Sequence, residues 1–285
     1  MRALRLCTLA VGTVRGSSTQ VKANLELLQN VVGLTPLDIN VGVSNLPPTA
    51  SLLVPSDQDA LLNLYITNEK DFGGLTPYYG VVWPSALALC RHVGPDAVPP
   101  GSRVLELGCG VGLSGIAAAI GSSPESVLLT DLDPLAVELA QLGAEASGVA
   151  DVCTCAVRDW HALDTWPEEG GFDVVLGADV IYEPEACDAI AALLTRVLKP
   201  GGVFILADGK ARRNRALLWE GLLSGGAFQK IGEEEWVTVD EDDFGVGEPR
   251  GQLDRRLREE SKEQPVVIAR FERTSGGSVK ELGVC

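Results

Sequence analysis

The stretch that decides the fold is "RVLELGCGVGLSG", residues 103–115. Its first five residues are mostly apolar, which is typical of a short buried strand. Three glycines follow at alternate positions, 108, 110 and 112, and the helix-favouring run 113–120 comes after them. Glycine permits a tight turn and lets a ligand come close to the backbone. The stretch therefore predicts a strand, a ligand-binding turn and a helix, an arrangement that dinucleotide-binding enzymes share.

The chain downstream of this stretch keeps alternating between strand and helix. The predicted strands are 103–107, 126–130, 151–157, 172–178 and 203–207, and the predicted helices are 113–120, 134–146, 184–198 and 211–223. This series predicts an α/β fold with a parallel sheet and right-handed crossovers. Two late strands, 228–239 and 265–272, have no helix between them and should form an antiparallel hairpin at the sheet edge.

The segments around this series are less regular. "KPGG" at 199–202 is predicted as a turn, and the charged segment 240–264 as a loop. Upstream, 59–66 and 84–93 are predicted helices within a proline-rich region.

Composition narrows the function. The 285 residues carry 23 Lys and Arg against 39 Asp and Glu, a net charge of -16. Nucleic-acid-binding proteins normally show a basic face, so nucleic acid is not expected as a partner. Acidity suits a basic protein partner, and it also serves solubility alone. No apolar run is long enough to span a membrane, so no membrane partner is expected.

Seven cysteines without a C-x-x-C pair, together with only two histidines, predict no metal site. The thiols are interpreted as small buried groups in a reducing compartment, which favours the cytoplasm. The N-terminus contains Arg2, Arg5, Arg15 and Lys22, with no acidic residue before Glu26. That pattern suits a transit peptide, which would place the protein in a mitochondrion or chloroplast. An N-terminal strand at 4–11 or a ragged tail explains it equally well.

Two carboxylates favour a particular ligand at the glycine turn. Glu106 lies two residues before the first glycine, where it would accept from an ammonium and repel a pyrophosphate. Asp131 ends the second predicted strand, and a carboxylate there can accept hydrogen bonds from both ribose hydroxyls. Together they favour a ligand with a ribose and an amine over a dinucleotide.

These blocks together resemble the class I S-adenosylmethionine-dependent methyltransferases. "ELGCGVG" (106–112) resembles their first motif, "TDLDP" (130–134) their second, and "VLKPGG" (197–202) the turn before their fifth strand. The resemblance implies a Rossmann-like methyltransferase fold, with a mostly parallel seven-stranded sheet and a C-terminal antiparallel hairpin. It also implies S-adenosyl-L-methionine as cofactor, held in part by Gly108, Cys109, Gly110 and Gly112.

Further blocks are similar to methyltransferase-like family 16, which is rich in protein-lysine methyltransferases and carries a D-x-x-Y motif. They are "YYGVVWPSALALC" (78–90), "VRDWHAL" (157–163) and "ADVIYEP" (178–184). This similarity implies that Trp83 lies over the cofactor, that Asp159 and Trp160 border the adenine, and that Ala178 lies beside the cofactor. Tryptophan offers a heterocycle a flat face and an N–H, although either tryptophan would also suit the core.

Asp179 and Tyr182 form the D-x-x-Y pair and are the candidate catalytic residues. The carboxylate would attract a cationic amine, and the tyrosine ring would hold it by a cation–π contact. Relatives that methylate flat amides or bases tend to have adjacent prolines here, and "DVIY" has none, which favours a cationic side chain. The alternative is that Asp179 caps the helix from residue 184. His161 as a base, and an acidic collar at 233–235 and 240–243, are further hypotheses.

The sequence thus predicts a monomeric S-adenosylmethionine-dependent protein methyltransferase. Its predicted target is a basic side chain, a lysine, of a non-histone protein. Arginine or small-amine methylation, or a non-catalytic cofactor-binding scaffold, are the alternatives. The predicted organisation is an N-terminal extension (1–35), a segment contributing to the pocket (36–100), a cofactor-binding domain (101–273) and a flexible tail (274–285).

Overall fold

The computed structural model describes residues 18–41, 49–166, 171–240, 255, 259 and 265–279. Over these residues the helices are α1 (Ser18–Val31), α2 (Gln58–Thr67), α3 (Glu69–Phe72), α4 (Pro84–His92), α5 (Leu113–Ser122), α6 (Pro134–Ala146), α7 (Pro184–Val197) and α8 (Arg215–Ser224). The strands are β1 (Leu34–Asn40), β2 (Thr49–Pro55), β3 (Arg103–Leu107), β4 (Ser126–Asp131), β5 (Cys153–Val157), β6 (Phe172–Ala178), β7 (Leu198–Gly209), β8 (Phe228–Val237) and β9 (Val266–Arg273). None of the helices in these ranges is long and apolar enough to cross a membrane.

The large sheet has seven strands in the order β5-β4-β3-β6-β7-β9-β8. The first five strands of this order are parallel, and β9 is antiparallel to both β7 and β8. The chain winds outward from β3 to β5, then returns to β6 on the other side of β3. The predicted fold class, with its parallel sheet and late antiparallel strands, is confirmed. The change of direction places a crevice beyond the carboxyl ends of β3, β4 and β6.

Both faces of the sheet are covered, because neighbouring residues of each central strand belong to different hydrophobic clusters. Val104 of β3 packs with α4, α5 and α6 residues, whereas Leu105 packs with α7 and α8 residues. Such strands read as nearly continuous apolar runs, as "VVLGA" in β6 does.

A second, two-stranded sheet pairs β1 with β2 and packs on α5 and α6. The sequence did not reveal it, because Pro36 interrupts the run and the alternation is weak. Proline is tolerated there because β1 pairs on one side only. The predicted domain boundary at residue 35 falls inside β1, and Leu28 of the preceding helix is fully buried in the core.

Several predicted boundaries were wrong in an informative way. Helix α8 begins at Arg215, four residues later than predicted, so that 211–214 form a turn beyond β7. The "KPGG" segment lies inside β7, where the pairing with β6 jumps from Leu198 to Val203. The predicted helices near 59–66 and 84–93 are confirmed as α2 and α4.

The structure describes the two ends of the chain only in part. The predicted N-terminal strand at 4–11 and most of the predicted loop at 240–264 lie outside the described residues. The start of the tail predicted to be flexible is packed against the α8–β8 turn, since the Ser278 N–H donates to the Gly225 carbonyl over 3.0 Å.

Candidate functional site

A cavity of about 470 Å³ opens at the carboxyl ends of β3, β4 and β6. This volume is in the range of small-molecule sites. The sequence-predicted residues that line it are Trp83, Glu106, Gly108, Cys109, Gly110, Asp131, Asp159, Trp160, His161, Ala178, Asp179 and Tyr182. Gly112 does not line it: a Cβ at Gly112 would lie 3.0 Å from Ala140 and 3.3 Å from Leu129, so this glycine permits close packing below the turn.

The glycine turn is shaped by backbone conformations that side chains disfavour. Gly108 and Gly110 both have positive φ, 57° and 53°. A Cβ on Gly108 would meet Val180 Cγ1 at 3.0 Å, and one on Gly110 would meet Tyr79 Cα at 3.6 Å. Between them, the Cys109 N–H donates to the Thr130 carbonyl over 2.8 Å, and burial raises the pKa of the Cys109 thiol. The thiol is therefore neutral, and the turn presents backbone to the cavity.

Asp131 is fixed at the end of β4. Its Oδ2 accepts from the Gly110 N–H over 2.9 Å, and its Oδ1 accepts from the Asp133 N–H over 3.0 Å. Burial raises the pKa of this carboxyl. Each oxygen keeps acceptor capacity for a ligand. The next residue, Leu132, is 47% exposed and adds an apolar surface to the same wall.

Glu106 is buried at the end of β3 and lines the cavity. Its Oε2 accepts from the Gly115 N–H at the start of α5 over 2.9 Å. Burial raises its pKa from 4.5 to about 7. A carboxylate in so dry a position is costly to ionise without a cationic partner.

This cost predicts a pH-dependent stability for the free protein. Because the folded state holds the Glu106 proton up to about pH 7, it binds more protons than the unfolded state above pH 4.5. The free energy of unfolding should therefore fall as pH rises through that window. Glu106→Gln should raise the free energy of unfolding at pH 8 by on the order of 1–3 kcal/mol and change it little at pH 5. Thermal melts at both pH values measure this.

The matched control is Glu125→Gln, because Glu125 is exposed and should show no difference between the two pH values. A Glu106→Gln protein that melts below the wild type at pH 8 would contradict the idea that the buried charge destabilises the fold.

Aromatic residues form two of the cavity walls. Trp160 lies beside the first glycine, with its ring 3.5 Å from the position of a Gly108 Cβ. Trp83 is the N-cap residue of helix α4, and its Nε1–H donates to the Tyr78 carbonyl over 3.0 Å. Trp83 can thus offer a ligand its ring face, whereas its N–H is already engaged by the Tyr78 carbonyl. Asp159 accepts from the His161 N–H, and His161 itself is exposed.

Asp179 and Tyr182 come together at the cavity, as the D-x-x-Y spacing predicted. Asp179 has φ 54°, a left-handed conformation that turns the chain sharply after β6. Its Oδ1 lies 2.8 Å from Arg212 Nη2. It does not cap α7, whose N-cap residue is Glu183, so that alternative was wrong. Tyr182 is 41% exposed. Its partial burial and, to a smaller extent, the negative charge of Glu183 raise its pKa to about 12, which keeps the phenol neutral.

Among the cavity residues that the sequence had not singled out, Arg212 and Tyr78 lie beside the D-x-x-Y pair. The sequence predicts Arg212 within a helix. Because α8 begins only at Arg215, Arg212 lies in the preceding turn and lines the cavity. Tyr78 stands 48% exposed with its ring centroid 5.4 Å from that of Tyr182. The quoted block "YYGVVWP" contained Tyr78, but nothing in the sequence told it apart from the buried Tyr79.

A buried hydrogen-bond chain supports this wall from behind. The Tyr65 hydroxyl donates to Asp133 Oδ2 over 2.7 Å and lies 3.1 Å from the Tyr79 hydroxyl. It ties α2 to the residue that caps α6, two positions after Asp131. Within the described ranges, no group of three or more His, Cys, Asp or Glu residues could hold a metal ion. The described part of the proposed acidic collar does not line the cavity; Glu235 instead lies 3.2 Å from His92.

A family model described as lysine methyltransferase, Methyltransf_16, matches residues 65–219, more than half of the chain. The chain belongs to this family. As a member of this lysine methyltransferase family it is an S-adenosylmethionine-dependent N-methyltransferase, and the predicted enzyme class and cofactor are confirmed.

Curated relatives agree with this assignment. Protein N-lysine methyltransferase METTL21A of Danio rerio is 32% identical over 189 residues, which cover 65% of this chain and 82% of the relative. The electron transfer flavoprotein beta subunit lysine methyltransferase of Danio rerio is 30% identical over 48% of this chain and 51% of the relative. EEF1A lysine methyltransferase 3 of Mus musculus is 34% identical over 49% of this chain and 59% of the relative. The chain thus spans only about half the length of the last two.

Solved structures show the fold alone. The [4+2]-cyclase SpnF has a TM-score of 0.50 at 17% identity, covering 67% of this chain and 82% of that chain. The MccD protein has the same TM-score and identity, covering 67% of this chain and 96% of that chain. Since one fold supports unrelated reactions, the family assignment rests on the sequence match.

The cavity of this family 16 chain fits S-adenosyl-L-methionine chemically. A glycine turn without side chains leaves room at the backbone, and two acidic groups, Glu106 and Asp131, face the same space. An amine and two ribose hydroxyls are the donors that such groups need. Trp160 supplies a flat aromatic surface and Leu132 an aliphatic one, and both suit contact with a purine.

Proposed function

We propose that this methyltransferase modifies the side-chain nitrogen of a lysine in a protein partner, and that Asp179 and Tyr182 receive that lysine. The observation that carries the proposal is that a carboxylate and two half-exposed tyrosine rings stand at the same cavity as the glycine turn. Such a cavity has acceptors for the cofactor on one side and a cation-binding mouth on the other.

The cofactor end of the cavity is assigned by matching donors to acceptors. Asp131 would accept from the ribose hydroxyls, and Glu106 from the methionine ammonium, whose charge would offset the cost of ionising this buried residue. Asp159 and Trp160 would border the adenine, Trp83 and Ala178 would flank the cofactor, and the backbone of 108–110 would pass beneath it. S-Adenosyl-L-methionine, when bound, supplies a methyl group on a positively charged sulfur.

Replacement of Asp131 tests this assignment. Asp131→Asn should weaken binding of S-adenosyl-L-homocysteine by about 10- to 100-fold, because a hydrogen bond to a charged acceptor contributes about 1.5–3 kcal/mol. Calorimetric titration of the folded protein measures the change. Asp151→Asn serves as the control, since Asp151 is exposed and does not line the cavity. Equal affinity of Asp131→Asn and wild type would place the ribose elsewhere.

At the other end, the described residues would select and prepare a cationic amine. A lysine ammonium has a pKa of about 10.4 and must lose a proton before its lone pair can attack. Asp179 would attract and orient the ammonium. The rings of Tyr78 and Tyr182 would surround the alkyl stem and exclude water, and desolvation favours the neutral amine.

The partner is proposed to be a folded, non-histone protein that presents a lysine to this mouth. The net charge of -16 favours a basic partner surface. The curated relatives are named for protein lysines, in an electron transfer flavoprotein subunit and in EEF1A. We propose a monomer, with neither nucleic acid nor membrane among its partners.

The deciding experiment is transfer of a tritiated methyl group from S-adenosyl-L-methionine to the proteins of a cell extract, followed by mass spectrometry of the labelled band. Methyl-lysine in that band supports the proposal. Methyl-arginine would move the chain to the arginine alternative. Label only in small molecules, or no label from protein that binds S-adenosyl-L-homocysteine, would refute protein methylation.

A further inference from the structure

The unexpected feature of the acceptor end is that Asp179 already has a cationic partner. Arg212 lies in the turn between β7 and α8 and lines the cavity. Its Nη2 is 2.8 Å from Asp179 Oδ1, and its Nε is 3.2 Å from Asp208 Oδ1. One guanidinium therefore bridges two carboxylates that lie near the ends of neighbouring strands, since Ala178 and Ala207, the residues before them, are paired in the sheet.

The inner end of this bridge is rigid. Asp208 is fully buried, and Arg215 Nη2 lies 3.7 Å from its Oδ2, a distance too long for a hydrogen bond. Burial, followed by the nearby Asp179, raises the pKa of Asp208 to about 8. Arg215 also donates to the Gly209 carbonyl. Burial disfavours charge on Arg212, but Asp179 and Asp208 raise its pKa, so it stays protonated. Asp208 is a fixed anchor for Arg212, because it is enclosed by the protein and lies between two guanidiniums.

At the outer end of the bridge, Arg212 contacts the Asp179 carboxylate, which has little conformational freedom of its own. The Asp179 side chain is only 10% exposed, and its backbone is held in the left-handed region by a hydrogen bond to the Ala207 carbonyl. Of the bonds made among the described residues, Arg212 engages Oδ1 of Asp179. This leaves Oδ2 available to a donor in the cavity.

We propose that Arg212 is the positioning residue of the acceptor site. Arg212 holds the Asp179 carboxylate so that its other oxygen faces the substrate amine, and the guanidinium partly neutralises the negative charge of that carboxylate. The proposal rests on the proposed function, in which Asp179 receives the lysine. Arg212 takes no part in bond making. Because the carboxylate is shared, it pulls less strongly on the ammonium, and loss of the lysine proton costs less than beside an unshared Asp179.

The geometry makes a specific demand on residue 212. Its two N–H groups point to carboxylates on different strands, and only the planar fork of arginine supplies both. A lysine there would keep the charge and reach one carboxylate. Neighbouring Arg213 is exposed and does not line the cavity, so it provides a control of the same charge in the same turn.

The test is a double-mutant cycle on the full chain, with tritium transfer to the proteins of a cell extract as the assay. We expect Arg212→Met to lower the maximal rate at least 10-fold, without raising the extract concentration that gives half-maximal rate. In an Asp179→Asn background the same change should cost less than about 2-fold, because interacting residues are not additive. Arg213→Met should stay within 2-fold of wild type, and all variants should bind S-adenosyl-L-homocysteine within about 3-fold.

Other outcomes separate the two proposals. A maximal rate of Arg212→Met near wild type, or an equal loss in both backgrounds, overturns the role of Arg212. Full activity of Asp179→Asn instead refutes the proposed acceptor site itself. If Arg212→Met does not fold, Arg212→Lys takes its place: a folded lysine variant with at least a 5-fold lower maximal rate supports the bridge, and one with the wild-type rate overturns it.

Discussion

Asp179→Asn is expected to lower the maximal rate of methyl transfer by roughly 10²–10³-fold, the loss seen when a preorganised electrostatic group is removed from an active site. Asparagine is the appropriate replacement, because Asp179 has φ 54° and asparagine tolerates that conformation better than alanine. The amide keeps the size of the side chain but loses the negative charge that attracts an ammonium. Tritium transfer to extract proteins measures the rate.

Binding of S-adenosyl-L-homocysteine provides the internal control for this variant. The carboxylates assigned to the cofactor, Glu106 and Asp131, lie on strands β3 and β4, so its affinity should remain within about 3-fold of wild type. A matched surface change is Asp164→Asn, because Asp164 is exposed and does not line the cavity. If Asp179→Asn retains most of the activity, Asp179 is not part of the acceptor site. If the variant loses much of its cofactor affinity, Asp179 binds the cofactor instead.

The second large effect is expected at the glycine turn. Gly110→Arg should weaken S-adenosyl-L-homocysteine binding by at least 100-fold and thereby abolish methyl transfer. A side chain at Gly110 would start 3.6 Å from Tyr79 Cα and extend into the cavity, because both residues line it. Calorimetric titration measures the affinity directly.

Backbone strain has to be separated from this blockage, since a non-glycine residue in the left-handed region costs about 1–2 kcal/mol by itself. Gly148→Arg is the matched control. Gly148 has φ 73°, no atom lies within 4 Å of its would-be Cβ, and it does not line the cavity. Both variants should lose similar stability in thermal melts, but only Gly110→Arg should lose the cofactor. Normal affinity in Gly110→Arg would show that the ligand binds away from the turn.

The fold was largely predictable because its determinants are local. Apolar runs of strand length, a glycine turn after β3 and helix-favouring segments between strands follow one another along the chain, and each is visible within about ten residues. The hairpin β1–β2 escaped notice because Pro36 breaks its pattern, and its stability comes from packing on α5 and α6. The end of β7 was misread because residues 211–214 resemble the helix that follows them.

Recognition of the site depended on whether its residues lie next to a recognisable pattern. Glu106, Asp131 and Asp179 each end a buried strand, and the ends of parallel strands meet at one edge of a sheet. Gly112 belonged to the same pattern but faces the protein interior, which the spacing of glycines does not reveal. Tyr78 stood beside an equally plausible Tyr79, and which ring is exposed depends on how the 3₁₀ turn Tyr78–Gly80 packs against α2.

The sequence by itself determined the order of strands and helices from β3 onward, the glycine turn, the family and the strand-end carboxylates, because all of these are properties of short consecutive segments. Only the tertiary structure decided that Arg212 joins Asp179 to Asp208, that the Trp83 N–H is engaged by Tyr78, and that Tyr65 supports the wall beside Asp131. These contacts link residues 4 to 68 positions apart. Their distances follow from sheet order and helix packing, which bring remote side chains together and leave no periodic signal in the chain.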